Sequence, residues 1–199
     1  MSQPLPDRRI GLLGGSFDPV HHGHLIVGQV LLDQLGLSEL RFMPACGQPL
    51  KDGRHGASAA DRVAMVEAAV RGEPGFVVER SEIERGGRSY TVDTLRELRA
   101  REPGVRFVLL VGADAARDLP LWREAGALRE LAEVVAFDRA GRPAEATPLV
   151  HRRVEVPAVD ISSTEIRRRV AAGLSIHYWV PEAVAQFITE RGLYRKTEA

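Results

Sequence analysis

Two imidazoles three positions apart, His21 and His24, close the run Gly14-Gly15-Ser16-Phe17-Asp18-Pro19-Val20-His21-His22-Gly23-His24. These residue types at this spacing suit the handling of phosphate. Residues three apart share a helical face, so both rings can address one ligand. The apolar run Ile10-Gly11-Leu12-Leu13 in front reads as a strand, and the residues from His24 onward read as an apolar helix. A strand that feeds a Gly-rich turn and then a helix start leaves backbone N–H groups without intrahelical partners, and the helix dipole there favours an anion. Gly14 and Gly15 let a ligand approach the main chain with no Cβ in the way. Asp18-Pro19 supplies a tight turn, with Asp18 either shaping it or standing near a metal, and Gly23 leaves room between the rings.

Three further clusters carry chemistry. In Ile161-Ser162-Ser163-Thr164-Glu165-Ile166-Arg167, consecutive hydroxyls before a helical pattern read as an N-cap and a second anion site. Arg167 is expected in the first turn, where it opposes the dipole unless an anion offsets it. Read alone, a cap and a solvated Arg167–Arg169 face explain these residues equally well. Ser89-Tyr90-Thr91-Val92-Asp93-Thr94-Leu95 is a loop entering a helix, with residues suited to capping. Gly112-Ala113-Asp114, followed by Leu119 and Trp122, comes after a long apolar run. Asp114 can accept from ribose hydroxyls. Trp122 can stack on an aromatic ligand, worth about 0.5–1.5 kcal/mol beyond burial, although a Trp near a helix start also serves as core packing. Trp179 is assigned to packing.

The elements that must position these groups follow from periodicity. Strands are expected at Arg9–Leu13, Leu40–Met43, Phe76–Glu79, Val105–Val111, Val134–Phe137 and Arg153–Val156. Helices are expected at His24–Gln34, Ala59–Val70, Thr91–Arg101, Ala127–Leu131, Thr164–Ala171 and Glu182–Glu190. Alternating β and α with buried-type strands argues for an α/β fold: a Rossmann-like doubly wound parallel sheet with a small C-terminal helical portion. Residues 1–199 are expected to form one domain. Ligands in such sheets bind at the carboxyl ends of the strands, where the Gly14-Gly15 turn and Gly112-Ala113-Asp114 both fall. Two long loops, Pro44–Ser58 and Arg80–Tyr90, are expected beside them.

Composition narrows the classes. Apolar residues make up 44% and charged residues 27%, as in an ordinary soluble globular chain. The formal net charge is zero, which gives no reason to expect a nucleic-acid or anionic-membrane partner. Arginine fills nearly every basic position; only Lys51 and Lys196 are lysines. The single cysteine, Cys46, excludes an intramolecular disulfide and reads as a small hydrophobe. With no signal-type or membrane-length apolar run, a cytoplasmic location is expected. No Cys/His cluster suggests zinc, and no protein metal site is expected. The oligomeric state is not legible.

Gly14 to Leu25 resembles the signature of the nucleotidyltransferase superfamily marked by His-x-Gly-His, and GGSFDPVHHGHL is similar to that of the bacterial nicotinate-mononucleotide adenylyltransferases. The stretch from Ile161 resembles the second signature of that family, which contacts ATP phosphates, and the resemblance runs from Arg9 to about Tyr194. It implies that ATP and nicotinate mononucleotide react to give deamido-NAD and pyrophosphate. It implies His21, His24 and Arg167 as catalytic groups. Gly15, Ser16, Phe17, Lys51, Asp114, Arg139, Ser162 and Ser163 join them at ATP. Gly14, Tyr90, Thr91, Gly112 and Trp122 are implied at the pyridine nucleotide, with the Tyr90–Thr91 main chain holding the nicotinate carboxylate. Mg²⁺ is expected on the phosphate oxygens rather than in a protein cage. One departure stands out: Gln48-Pro49-Leu50-Lys51 has Leu50 where the family usually has His, and His55 lies four residues on. Alternatives within the superfamily are nicotinamide-mononucleotide, phosphopantetheine and cytidylyl enzymes; outside it, a non-catalytic nucleotide sensor.

Overall fold

The computed structural model describes residues 8–47, 56–139 and 147–195. Six strands, β1 (Arg9–Gly15), β2 (Glu39–Pro44), β3 (Phe76–Val78), β4 (Arg106–Gly112), β5 (Glu133–Arg139) and β6 (Arg152–Val156), form one parallel sheet in the order β3-β2-β1-β4-β5-β6. The helices between and after them are α1 (His22–Gln34), α2 (Ala59–Val70), α3 (Ser81–Arg85), α4 (Thr91–Arg101), α5 (Ala113–Asp118), α6 (Ala125–Leu131), α7 (Ser163–Ala171) and α8 (Glu182–Glu190). The strand order reverses between β1 and β4, which pair directly with Leu12 opposite Leu109. A crevice opens outside the carboxyl ends of the strands at such a reversal.

The period-two alternation of the strands sorts the core into two layers. Leu13, Phe42, Leu110 and Val135 point to one face, where they meet Leu31 of α1, Met65 of α2, Ile166 of α7 and Val184 of α8. Leu12, Leu109, Val134 and Ala136 point to the other, against Val92 and Leu95 of α4, Ala116 of α5 and Leu128 of α6. All six expected strands and six expected helices are present, most with ends moved by one or two residues. Two helices went unforeseen. The Arg80–Tyr90 stretch is not all loop, because α3 occupies its start. This helix has no apolar periodicity; it stands because Ser81 and Glu82 are buried and hydrogen bonded. The other is α5, which follows β4 directly with Gly112 as its cap, so no capping side chain announces it.

A buried ionic cluster ties β2 to α3 and α4. The Arg41 guanidinium on β2 donates to both Glu102 oxygens at 2.6 and 2.9 Å, to Glu79 at 3.1 Å and to Glu39 at 2.5 Å. Arg101 donates to Glu79 at 2.6 Å, and the Ser81 hydroxyl donates to the same carboxylate. Burial acts to raise the Glu79 carboxyl, but the Ser81 hydrogen bonds and Arg101 outweigh it and hold it below the ordinary 4.5. The hydrogen bond from Arg41 does the same for Glu102. In the window below 4.5 the native state therefore binds fewer protons than the unfolded chain, so the stabilisation is complete above that window and is lost as pH falls through the folded values. Arg41→Met removes the guanidinium that Glu102, Glu39 and the buried Glu79 share and should cost about 3–5 kcal/mol. Urea denaturation checks both points: the midpoint should fall from about pH 5 to about pH 3, with a shallower pH slope in the variant.

Candidate functional site

One side of the candidate site is built on the turn between β1 and α1. His21 caps α1, its carbonyl accepting from the N–H groups of His24 at 2.9 Å and Leu25 at 3.3 Å. In return the His21 N–H donates to His24 Nδ1 at 3.3 Å. That bond leaves Nε2 as the donor nitrogen of a neutral His24 ring. The two rings stack with centroids 3.7 Å apart and planes 24° from parallel. Gly23 makes this possible, since a Cβ there would sit 3.0 Å from His21 Nδ1. The helix starts at His22 rather than His24 because His21 supplies the cap.

The paired glycines have different reasons. Gly14 is exposed, and a Cβ on it would meet only the end of Met43, so a ligand can approach its main chain. Gly15 lines the cavity described below and has a second reason to be small: a Cβ there would lie 2.9 Å from the ring of Phe17, so the glycine also seats that ring. Phe17 adopts a left-handed backbone with φ of 48° and packs edge-on to His24 at 5.0 Å.

Asp18 gathers the surrounding segments. Its buried carboxylate accepts from the N–H groups of Gly56 at 2.7 Å and Ala57 at 3.1 Å and from the Tyr194 hydroxyl at 2.7 Å. Burial and the bond to Asp18 push the Tyr194 phenol far above its usual range. The Asp18 carbonyl accepts from Arg167 at 2.8 Å, and the Pro19 carbonyl accepts from the Ser163 hydroxyl at 2.8 Å. Ser162 is the cap of α7, its hydroxyl accepting from the Glu165 N–H. This places Arg167 in the second turn, not the first: the helix begins at Ser163, and the guanidinium is directed at the β1–α1 turn and at Thr164 Oγ1, 3.3 Å away. Beneath the turn, the fully buried Arg62 donates to the Ser16 carbonyl at 2.7 Å and to the Cys46 carbonyl at 3.4 Å. Burial depresses its guanidinium pKa.

On the other side of Gly14 and Gly15 opens a cavity of about 480 Å³, lined also by Tyr90, Thr91, Gly112, Asp114 and Trp122. Tyr90 caps α4 and Thr91 is its first residue. The N–H groups of Thr91 and Val92 have no carbonyl behind them in the helix, whereas those of Asp93 and Thr94 return to the Tyr90 carbonyl. Asp114 stands almost fully exposed, paired with Arg117 at 2.7 Å. Trp122 is half-buried and serves twice, packing on the α4 layer and walling the cavity. Trp179 packs against the core as expected, with Arg169 over its ring. Arg139 ends β5 opposite Val156. Lys51, Leu50 and His55 lie outside the described residues.

Several contributors were not anticipated. Arg62 sits three and four residues before Met65 and Val66, on the core-facing stripe of α2, and that misplaced charge was the available signal. Arg123 lines the cavity with its guanidinium 4.9 Å from the Tyr90 ring centroid and 3.0 Å from Asp93. Nothing in the sequence pattern singles out Tyr194 or Glu82.

The cytidylyltransferase-like family model matches residues 12–169. A Thermus thermophilus protein named "Probable nicotinate-nucleotide adenylyltransferase" is 47% identical over 187 residues, covering 94% of this chain and 100% of that one. The chain belongs to the nicotinate-nucleotide adenylyltransferase family. A Lactiplantibacillus plantarum relative of the same name is 42% identical over 98% of this chain and 92% of its own length. Among solved structures, the Plasmodium falciparum nicotinic acid mononucleotide adenylyltransferase complexed with NaAD superposes with a TM-score of 0.75 at 18% identity, covering 94% of this chain and 97% of that one. At that identity the likeness bears on the fold, which is the one the family shares.

Two substitutions probe this geometry. Gly23→Ala should displace the His21 ring and cut turnover at least about tenfold while circular dichroism stays unchanged. Asp18→Asn should weaken ATP use about tenfold or more, because an amide cannot accept from three donors. Tyr194→Phe, removing one donor, should shift the same kinetic constant less.

Proposed function

We propose that this chain joins ATP to nicotinate mononucleotide, releasing pyrophosphate and giving deamido-NAD, a step of NAD biosynthesis. The observation that carries the reading is the meeting of Gly14, Gly15, Tyr90, Thr91, Gly112, Asp114 and Trp122 around one cavity at the β1/β4 reversal, beside the stacked His21–His24 pair. Family membership supports the same reaction.

In the reaction, a 5′-phosphate oxygen of the mononucleotide bonds to the α-phosphorus of ATP in line with the bond to the leaving pyrophosphate, which breaks with its electron pair. The attacking group is already an anion at neutral pH, so no general base is required. The protein then acts by positioning and by placing donors where charge builds. His21 and His24, at the start of α1, face the α- and β-phosphates; Arg167 and the start of α7 face the leaving side; Lys51 is assigned there too. Arg139 is assigned near the adenosine. Two imidazoles, a guanidinium and two helix starts suit an anion and not a cation, so the metal ion expected with ATP travels on its phosphate oxygens. Mg²⁺ bound there supplies neutralising charge. On the far side, Trp122 stacks on the pyridine and the N–H groups at the start of α4 receive its carboxylate.

Pyrophosphate release with ATP and Mg²⁺ tests the assignment, with nicotinate and nicotinamide mononucleotides compared side by side. The acid should be strongly preferred; silence with both would return the chain to the sensor reading. His24→Ala should lower turnover by about 10²–10³-fold with the fold intact. Trp122→Ala should raise the KM for the pyridine nucleotide roughly two- to tenfold and leave that for ATP unchanged.

A further inference from the structure

Glu82 is an acid that the reaction does not use, yet it lines the cavity and is only 4% exposed. It lies in α3, on the segment before the pyridine-side loop. Its carboxyl receives a hydrogen bond from the Thr94 hydroxyl at 3.1 Å and stands against the Ser89 hydroxyl on its other side. Those two residues bracket Tyr90 and Thr91, Ser89 directly before them and Thr94 one turn after.

The direction of the protons follows from the other bonds. Ser89 Oγ already accepts from the Cys46 N–H at 2.9 Å, so its single proton is available to Glu82. Thr94 Oγ1 already accepts from Arg85 at 2.6 Å, so its proton lies between Glu82 at 3.1 Å and the more distant Tyr90 carbonyl at 3.4 Å. The carboxyl group thus stands between the two ends of the Ser89–Thr94 segment, accepting from Thr94 at one end and facing the Ser89 hydroxyl at the other. Through Ser89 it also fixes Cys46, whose carbonyl is held by Arg62 under the phosphate turn. Burial pushes the Glu82 carboxyl up, against the pull of both hydroxyls and of Arg85.

We propose that Glu82 is a positioning residue that sets the preference of the pyridine pocket for a carboxylate over an amide, by clamping Ser89 and Thr94 so that the N–H groups at the start of α4 stand at fixed places. A ligand carboxylate accepts from two such donors at once. An amide presents one acceptor and an N–H of its own, so it gains less from the clamp. This inference rests on the proposed reaction.

The test is steady-state kinetics of the full chain with nicotinate and nicotinamide mononucleotides, on the wild type, Glu82→Gln, Ser89→Ala and the double variant. Glu82→Gln keeps the shape but replaces one acceptor by a donor. It should raise the KM for the acid about tenfold, raise that for the amide less, and change the KM for ATP by less than about twofold. The acid-over-amide ratio should therefore fall. Simple charge repulsion predicts the opposite, since removing a negative group near an anionic ligand would raise the ratio. Ser89→Ala should fall in the same direction, and the double variant should add little to either single one, because both break one linkage. A ratio that rises or holds, or fully additive losses, would overturn the proposal. Absence of acid turnover in the wild type would instead remove the reaction itself.

Discussion

The carboxylate of Asp18 is the constraint on which the site depends. A buried ionised group is tolerable only when its lone pairs are met by donors. Here the donors come from the entry to α2 and from Tyr194 near the end of the chain, while Arg62 adds a buried positive charge close by. Satisfying that one group draws two distant segments onto a single turn. The turn's own carbonyls, on Ser16, Asp18 and Pro19, then take Arg62, Arg167 and Ser163. The histidine pair is stacked at the end of this assembly, so its placement is a result of how the whole turn is held.

A second ionic assembly, around Arg41, lies on the opposite layer and has a different character. It joins β2 to the ends of α3 and α4, away from the cavity, and its carboxylates are paired among protein groups. Charge on this side holds secondary elements together. On the Asp18 side the cations Arg62 and Arg167 meet mostly carbonyl oxygens, which leaves net positive potential where a polyphosphate would lie. The same residue types thus serve cohesion on one face and ligand attraction on the other.

The fold was legible because its signals were redundant. Strands such as Phe107–Val111 are buried on both sides and read as continuous apolar runs, and helices such as α2 carry both a Ser58 cap and an apolar stripe. The short helices were not legible: α3 depends on Glu79, Thr94 and Arg101, none adjacent to it in a way periodicity detects. Within the site, the glycine and histidine spacing marked the turn correctly. It could not show that Gly15 accommodates Phe17, because that depends on the left-handed backbone at Phe17, or that Ser163 holds Pro19, because that contact joins residues 144 positions apart. For Asp18 the sequence leaves two roles open, shaping its turn or standing near a metal, since its partners lie 38, 39 and 176 positions away.

That last separation governs how the molecule comes into being. Tyr194 reaches back across 176 residues to the turn that holds the histidines. At about 5–20 residues per second, a ribosome takes on the order of 10–35 s to make the intervening chain. Throughout that interval the turn that carries the histidines exists without its final donor, and the partner of the Tyr194 hydroxyl waits on the emerging chain. Arrival of Tyr194, rather than formation of the sheet, is the event that completes the turn.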